Sequence, residues 1–108
     1  MDHFNPNIIA ELYFLTTEEG GRKTPCRSGF RPIMRIPELD TATTASPKFI
    51  NQEIVSPGET VIASITLLVP EMFKNYMQTG KGFELFEGHN RIAKGNVIEV
   101  LSMEPHAE

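Results

Sequence analysis

Residues 60–69 carry the clearest repeat of two in the chain: Val61, Ala63, Ile65, Leu67 and Val69 fall on one side, with Thr60, Ser64 and Thr66 on the other. A repeat of two residues is the pleat of a β-strand, and no helix accommodates it. Ser56-Pro57-Gly58, just before it, is a turn signal with a glycine suited to positive φ. The same period opens the chain, where Ile8, Ala10, Leu12 and Phe14 interleave with Ile9, Glu11, Tyr13 and Leu15. A chain whose strongest segments both carry this period has to bury one face of a sheet. At 108 residues it is one domain, able to bury roughly 60–70% of the surface its unfolded form exposes.

The remaining segments fit an all-β reading. Residues 16–21, with Gly20-Gly21, form a turn, and residues 31–36 a strand entered through Gly29 and stopped by Pro37. Residues 38–51 are rich in Thr, Ala, Ser and Pro and read as a loop or as a pair of short, exposed strands. Residues 70–82 break the pattern, with one or two helical turns within 71–77. Residues 83–87 are a short strand, Gly88-His89-Asn90 a turn, and residues 91–101 the last strand, interrupted at Gly95 by a bulge or a close backbone approach. Residues 1–7 are a lead-in, 8–101 the domain, and 102–108 a polar, frayed tail. Short strands with regular turn signals predict an antiparallel sandwich or a barrel, and the pattern leaves both open.

Charge supplies the clearest local feature. The formal net charge is -4, yet five of the ten Lys and Arg residues (Arg22, Lys23, Arg27, Arg31 and Arg35) lie in one acid-free run. An acidic balance excludes a wholly basic nucleic-acid surface but not a focused patch. The run is either an anion-attracting site or a solvated rim paired with carboxylates from elsewhere. The single cysteine, Cys26, excludes an internal disulfide. No signal peptide and no apolar run of membrane-spanning length is present, so a cytoplasmic protein without membrane contact is expected.

Searches for chemistry return little. Arg22-Lys23-Thr24 ends like a phosphate-binding P-loop, but Arg22 and Thr17 stand where its two glycines belong, so no nucleotide site is expected. His3, His89 and His106 lie in a terminus, a turn and a tail, without metal-ligand spacing. Cys26 has no histidine near it in sequence and reads as a packed thiol, although Lys23 and Arg27 would lower its pKa if it were exposed. Glu84 and Glu87, three apart on a strand, point to opposite faces and make no acid/base pair. Met72, Phe73, Tyr76 and Met77 form either an adaptable docking surface or a cap on the end of the domain. No catalytic residue, cofactor site or metal site is assigned, and the expectation is a non-enzyme.

Three segments carry a family resemblance. They are Glu18-Glu19-Gly20-Gly21-Arg22-Lys23-Thr24-Pro25 followed by Gly29-Phe30-Arg31-Pro32, then Ser56-Pro57-Gly58-Glu59 leading into the alternating strand, then FELFEGHNRIAKGNVIEVL over residues 83–101. In order and spacing they resemble the third, C-terminal domain of bacterial elongation factor Tu, here as a free-standing domain without the GTPase that precedes it in that protein. The resemblance implies a closed six-stranded antiparallel β-barrel, which leaves no open sheet edge. It also implies a domain that does no chemistry and grips the T-stem backbone of aminoacyl-tRNA.

Of the tRNA-contacting positions that the resemblance implies, Arg22, Arg31, Glu87 and Gly88 are retained, and Lys23 stands where the family has His or Lys. Ile33 replaces a polar Gln, Val69 falls where many members carry Lys, and the 70–82 loop is longer than usual. The candidate binding residues are therefore Arg22, Lys23, Arg27, Arg31, Glu87 and Gly88. The partner is tRNA or a ribonucleoprotein, or alternatively another protein docking on the 70–82 loop and the Ile33/Val69 region. Arg22 and Arg31 have a further reading, as ion pairs that hold the loop. Five cations on phosphates predict a slope of log affinity against log salt of roughly -4 to -5.

Overall fold

A computed structural model describes residues 5–104. It contains eight strands: β1 Ile8–Phe14, β2 Cys26–Arg27, β3 Ile33–Arg35, β4 Ala42–Phe49, β5 Ile54–Val55, β6 Thr60–Leu67, β7 Gly82–Glu87 and β8 Asn90–Val100. One 3-10 turn, Pro70–Phe73, follows β6. Six strands close in the order β1-β6-β4-β3-β7-β8, every pair antiparallel, with β8 returning to β1. The choice between sandwich and barrel is thereby settled as a closed six-stranded barrel. The short β2 and β5 form a separate ladder, Cys26 opposite Val55 and Arg27 opposite Ile54. Among the described residues no helix is long and apolar enough to cross a membrane.

Alternation works as the sequence predicts in β1 and β6. Ile8, Ala10, Leu12 and Phe14 are buried, as are Val61, Ala63, Ile65 and Leu67. The pattern stops there, because Val69 lies past the strand and is only half-buried.

Three expectations need correction. The first concerns residues 38–51, which are not a loop or a pair of exposed strands: β4 is an eight-residue strand between β3 and β6. Thr43, Ala45, Pro47 and Phe49 face inward, and only Phe49 is a large apolar residue, so the hydropathy signal is faint. Pro47 is tolerated for a geometric reason. Ala45 donates its N–H toward β3, to the Pro32 carbonyl. Pro47, two residues on, turns its imide nitrogen to the same side, beyond the start of β3, and costs no ladder bond.

The second correction is the interruption of β8. Register shifts lie opposite Leu85/Phe86 and Ile9/Ala10, which makes Ile92 and Ile98 the extra residues. Gly95 carries no bulge and is the other of the two things expected of it, a close approach, since a Cβ there would sit 2.1 Å from the Phe83 ring. Third, the tail is docked over its described part. Met103 is buried, the Ser102 N–H donates to the Asn7 carbonyl, and Lys74 pairs with Glu104 at 2.9 Å. Residues 105–108, with His106, and residues 1–4, with His3, lie outside the described residues.

Antiparallel order puts the ends of β1, β4 and β7 and the starts of β3, β6 and β8 at one pole. There Phe14, Phe30 and Phe49 close the barrel as an aromatic trio, with ring centroids 5.8–6.0 Å apart. Phe73, Met77 and Met103 are buried at the opposite pole. Buried Asn7 ties that pole together: its Nδ2 donates to the Ser102 carbonyl at 2.7 Å and its Oδ1 accepts the Leu67 N–H at 2.7 Å.

Candidate anion-binding loop

The segment from the end of β1 to the start of β3 lies across the aromatic pole, and its own residues shape it. Thr16 and Glu19 hold each other reciprocally. The Thr16 N–H donates to Glu19 Oε1 at 2.9 Å, and the Glu19 N–H donates to Thr16 Oγ1 at 3.1 Å. Tyr13 adds its hydroxyl to Glu19 Oε1 at 2.7 Å. The Thr16 N–H first and the Tyr13 hydroxyl second hold the Glu19 carboxyl below the usual carboxylate range. Gly21 then packs so tightly that a Cβ would lie 2.3 Å from the Leu15 carbonyl oxygen. No other residue fits there without moving the backbone.

Arg22 is the fastener. Its Nη1 donates to both oxygens of Glu87 at 2.6 and 2.7 Å, joining the loop to the end of β7. Its Nε donates to the Thr24 carbonyl at 3.2 Å, and its Nη2 to Thr24 Oγ1 at 3.1 Å and the Pro25 carbonyl at 3.2 Å. A guanidinium has five N–H donors, and the protein supplies five contacts for them. Arg22 and Glu87 thus satisfy each other and the loop backbone, leaving no donor directed at a ligand. Of its two sequence readings, the ion pair that holds the loop is the one the geometry supports.

Two further anchors follow. Cys26 is buried against the core and paired in register with Val55. Burial pushes its thiol up to about 11, with Arg22 pulling it down and Glu87 adding to the rise. Phe30 packs on Phe14 and Phe49. The thiol is therefore a packed core group, as expected from sequence.

Between these anchors stand the free cations. Lys23, Arg27 and Arg31 are exposed and make no ion pair among the described residues. Gly88, at a φ of 60°, turns β7 into β8 beside Glu87. Arg35 belongs elsewhere. It lies on the outer side of β3 with its guanidinium 5.8 Å from the centroid of the Phe86 ring. Sequence reasoning located the basic residues and missed the acceptors, Thr24 and Pro25, that hold Arg22. Their signal was position alone, two and three residues beyond an arginine in a turn.

The family model of the elongation factor Tu C-terminal domain matches residues 4–101. The chain belongs to that family. The closed six-stranded antiparallel barrel is the fold of that family, and the match covers the described barrel from β1 to β8. Membership fixes the fold and a kinship to translation factors. It does not by itself say what this loop holds.

Proposed function

We propose that this chain is a non-enzymatic binding module that grips the phosphate backbone of tRNA or another structured RNA. The observation that carries this reading is the set of Lys23, Arg27 and Arg31, exposed and unpaired on a loop that Arg22, Cys26 and Phe30 hold rigid. A pre-shaped loop loses little conformational entropy on binding, so its charges count almost in full. Family membership supports a translation-related setting, where such RNA is the available polyanion. With that partner goes a cytoplasmic location. The reading assigns no catalytic role to any residue. Arg22 and Glu87 act as structure, and Gly88 sets the turn that presents Glu87.

Bulk tRNA titrated at several salt concentrations tests this. The three loop cations contribute a slope of about -3, and each substitution to Ala removes about one. Absence of binding at low salt eliminates the proposal.

A second reading has its own observation. Five exposed large hydrophobics, Leu68, Met72, Tyr76, Ile98 and Leu101, lie around the opposite pole, Leu68 being 65% exposed. The 70–82 loop divides its apolar residues between two tasks, Phe73 and Met77 buried as the cap and Met72 and Tyr76 outside. Exposed apolar clusters of this kind mark protein contacts. A protein captured there survives nuclease treatment and is lost on Leu68→Glu, whereas an RNA partner is not.

A further inference from the structure

The loop is not the only place where cations gather. A shallow groove of about 460 Å³ runs over the outside of β7 and β8, lined by Lys81, Arg91 and Lys94 together with Glu38 and Glu84. Its floor includes the backbone of Gly82, which is exposed and carries no side chain, and of Gly95, an inward-facing position that lies over the core Phe83 ring. The walls are long and charged and the floor is backbone. That shape admits an extended anion.

The bulge at Ile92 makes this groove. Arg91 and Lys94 are three residues apart and in a regular strand would face opposite ways. With Ile92 and Ala93 both buried, both cations come to the outside. Their donors are incompletely used. Arg91 spends only Nη1, on Glu84 at 2.6 Å. Lys94 feels the Glu19 carboxylate but makes no ion pair among the described residues. Lys81 is bonded to Glu38, whose side chain is 61% exposed and free to swing into water.

The outer face of β3 joins this groove to the loop. Arg35 on β3 and Arg31, two residues before that strand begins, are both exposed, and Arg35 stands in register with Glu84. We propose that the β7–β8 groove is a second phosphate-binding site, centred on Arg91 and Lys94 with Lys81 at its end, and that it continues the RNA backbone path from the loop. The continuation rests on the RNA reading above. The groove itself does not.

The test uses amide chemical shifts of the whole protein with two probes, inorganic tripolyphosphate and bulk tRNA. Tripolyphosphate is expected to shift the Gly82, Lys94 and Gly95 amides saturably. Its dissociation constant is expected to rise about tenfold in R91A/K94A and also to rise in K94E, which leaves the Arg91–Glu84 pair intact. Bulk tRNA is expected to shift both groove and loop. If tripolyphosphate leaves the groove amides unmoved, or moves them equally in the variants, the second site is overturned. If tRNA then moves only the loop, the RNA reading stands without the groove. If tripolyphosphate fills the groove and tRNA moves nothing, the site stands and the RNA reading falls.

Discussion

Replacing Arg22 by Ala separates a clip from a contact. The Arg22 and Glu87 side chains are 26% and 39% exposed, so water screens their attraction and the pair belongs near the top of the range for exposed ion pairs, about 1 kcal/mol. The Thr24 and Pro25 carbonyls face an exposed loop and find water when Arg22 is removed, so their loss adds less than about 1 kcal/mol. The total is about 1–2 kcal/mol, or a fall in Tm of roughly 4–10 °C for a domain of this size. A double-mutant cycle with Glu87→Ala should return a coupling of about 1 kcal/mol. Thermal unfolding by circular dichroism measures both, and tRNA binding at several salt concentrations gives the salt slope. Arg22→Ala is expected to lower Tm and leave the salt slope unchanged, while Arg31→Ala leaves Tm unchanged and makes the slope shallower by about one. The reverse pattern, an unmoved Tm with a slope reduced by one for Arg22→Ala, refutes the assignment.

Other substitutions probe the frame. Gly95→Ala places a methyl group 2.1 Å from the Phe83 ring and should cost about 1–3 kcal/mol in chemical denaturation. Asn7→Ala strips partners from the Leu67 N–H and the Ser102 carbonyl, for a loss of about 2–4 kcal/mol in the same assay. Cys26 should resist Ellman's reagent at pH 8 in the native protein and react at once in urea. Because folding raises this thiol to about 11, its stabilising contribution is complete below the unfolded thiol's pKa and is lost as the pH climbs through the folded one. Midpoint denaturant concentrations should fall from about pH 9 upward, and Cys26→Ala should remove that fall. Glu19 has the opposite sign. Its lowered carboxyl stabilises the turn above the ordinary carboxylate pKa and releases it as acid protonates the group, so the protection factor of the Thr16 amide, its exchange rate relative to an unstructured peptide at the same pH, should fall at low pH.

Legibility varied with how each residue does its work. Strands β1 and β6 were legible because large apolar residues mark every inward position. Strand β4 keeps the same alternation with Thr43, Ala45 and Pro47, small or polar residues that carry almost no hydropathy, and its neighbours in the barrel bury them. The bulges at Ile92 and Ile98 had a signal that went unread: two adjacent apolar pairs, Ile92-Ala93 and Val97-Ile98, in a strand that elsewhere alternates. Gly95 drew attention because glycine is visible, although the irregularity lay beside it. In the loop, sequence found every cation and could not sort them. Arg22 differs from Arg31 through Thr24 and Pro25 close by and through Glu87, sixty-five residues away, and the last of these is visible only after folding.

Closure of the barrel also constrains how any partner is recognised. Every strand of the six has two neighbours, so the cylinder has no free edge on which a peptide could add as a further strand. Recognition on its walls therefore falls to side chains. The wall over β3, β7 and β8 presents Arg31, Arg35, Arg91 and Lys94, interrupted by Glu84, while the capped pole presents Leu68 and Tyr76. Because these surfaces share no residue and lie on a rigid frame, their contributions should add. Reversing charge on the wall and on the pole together should then give the sum of the two single effects on any complex that uses both. A shortfall in that sum would mean that the two surfaces are energetically coupled, while one single change without effect would mean that the other surface alone makes the contact.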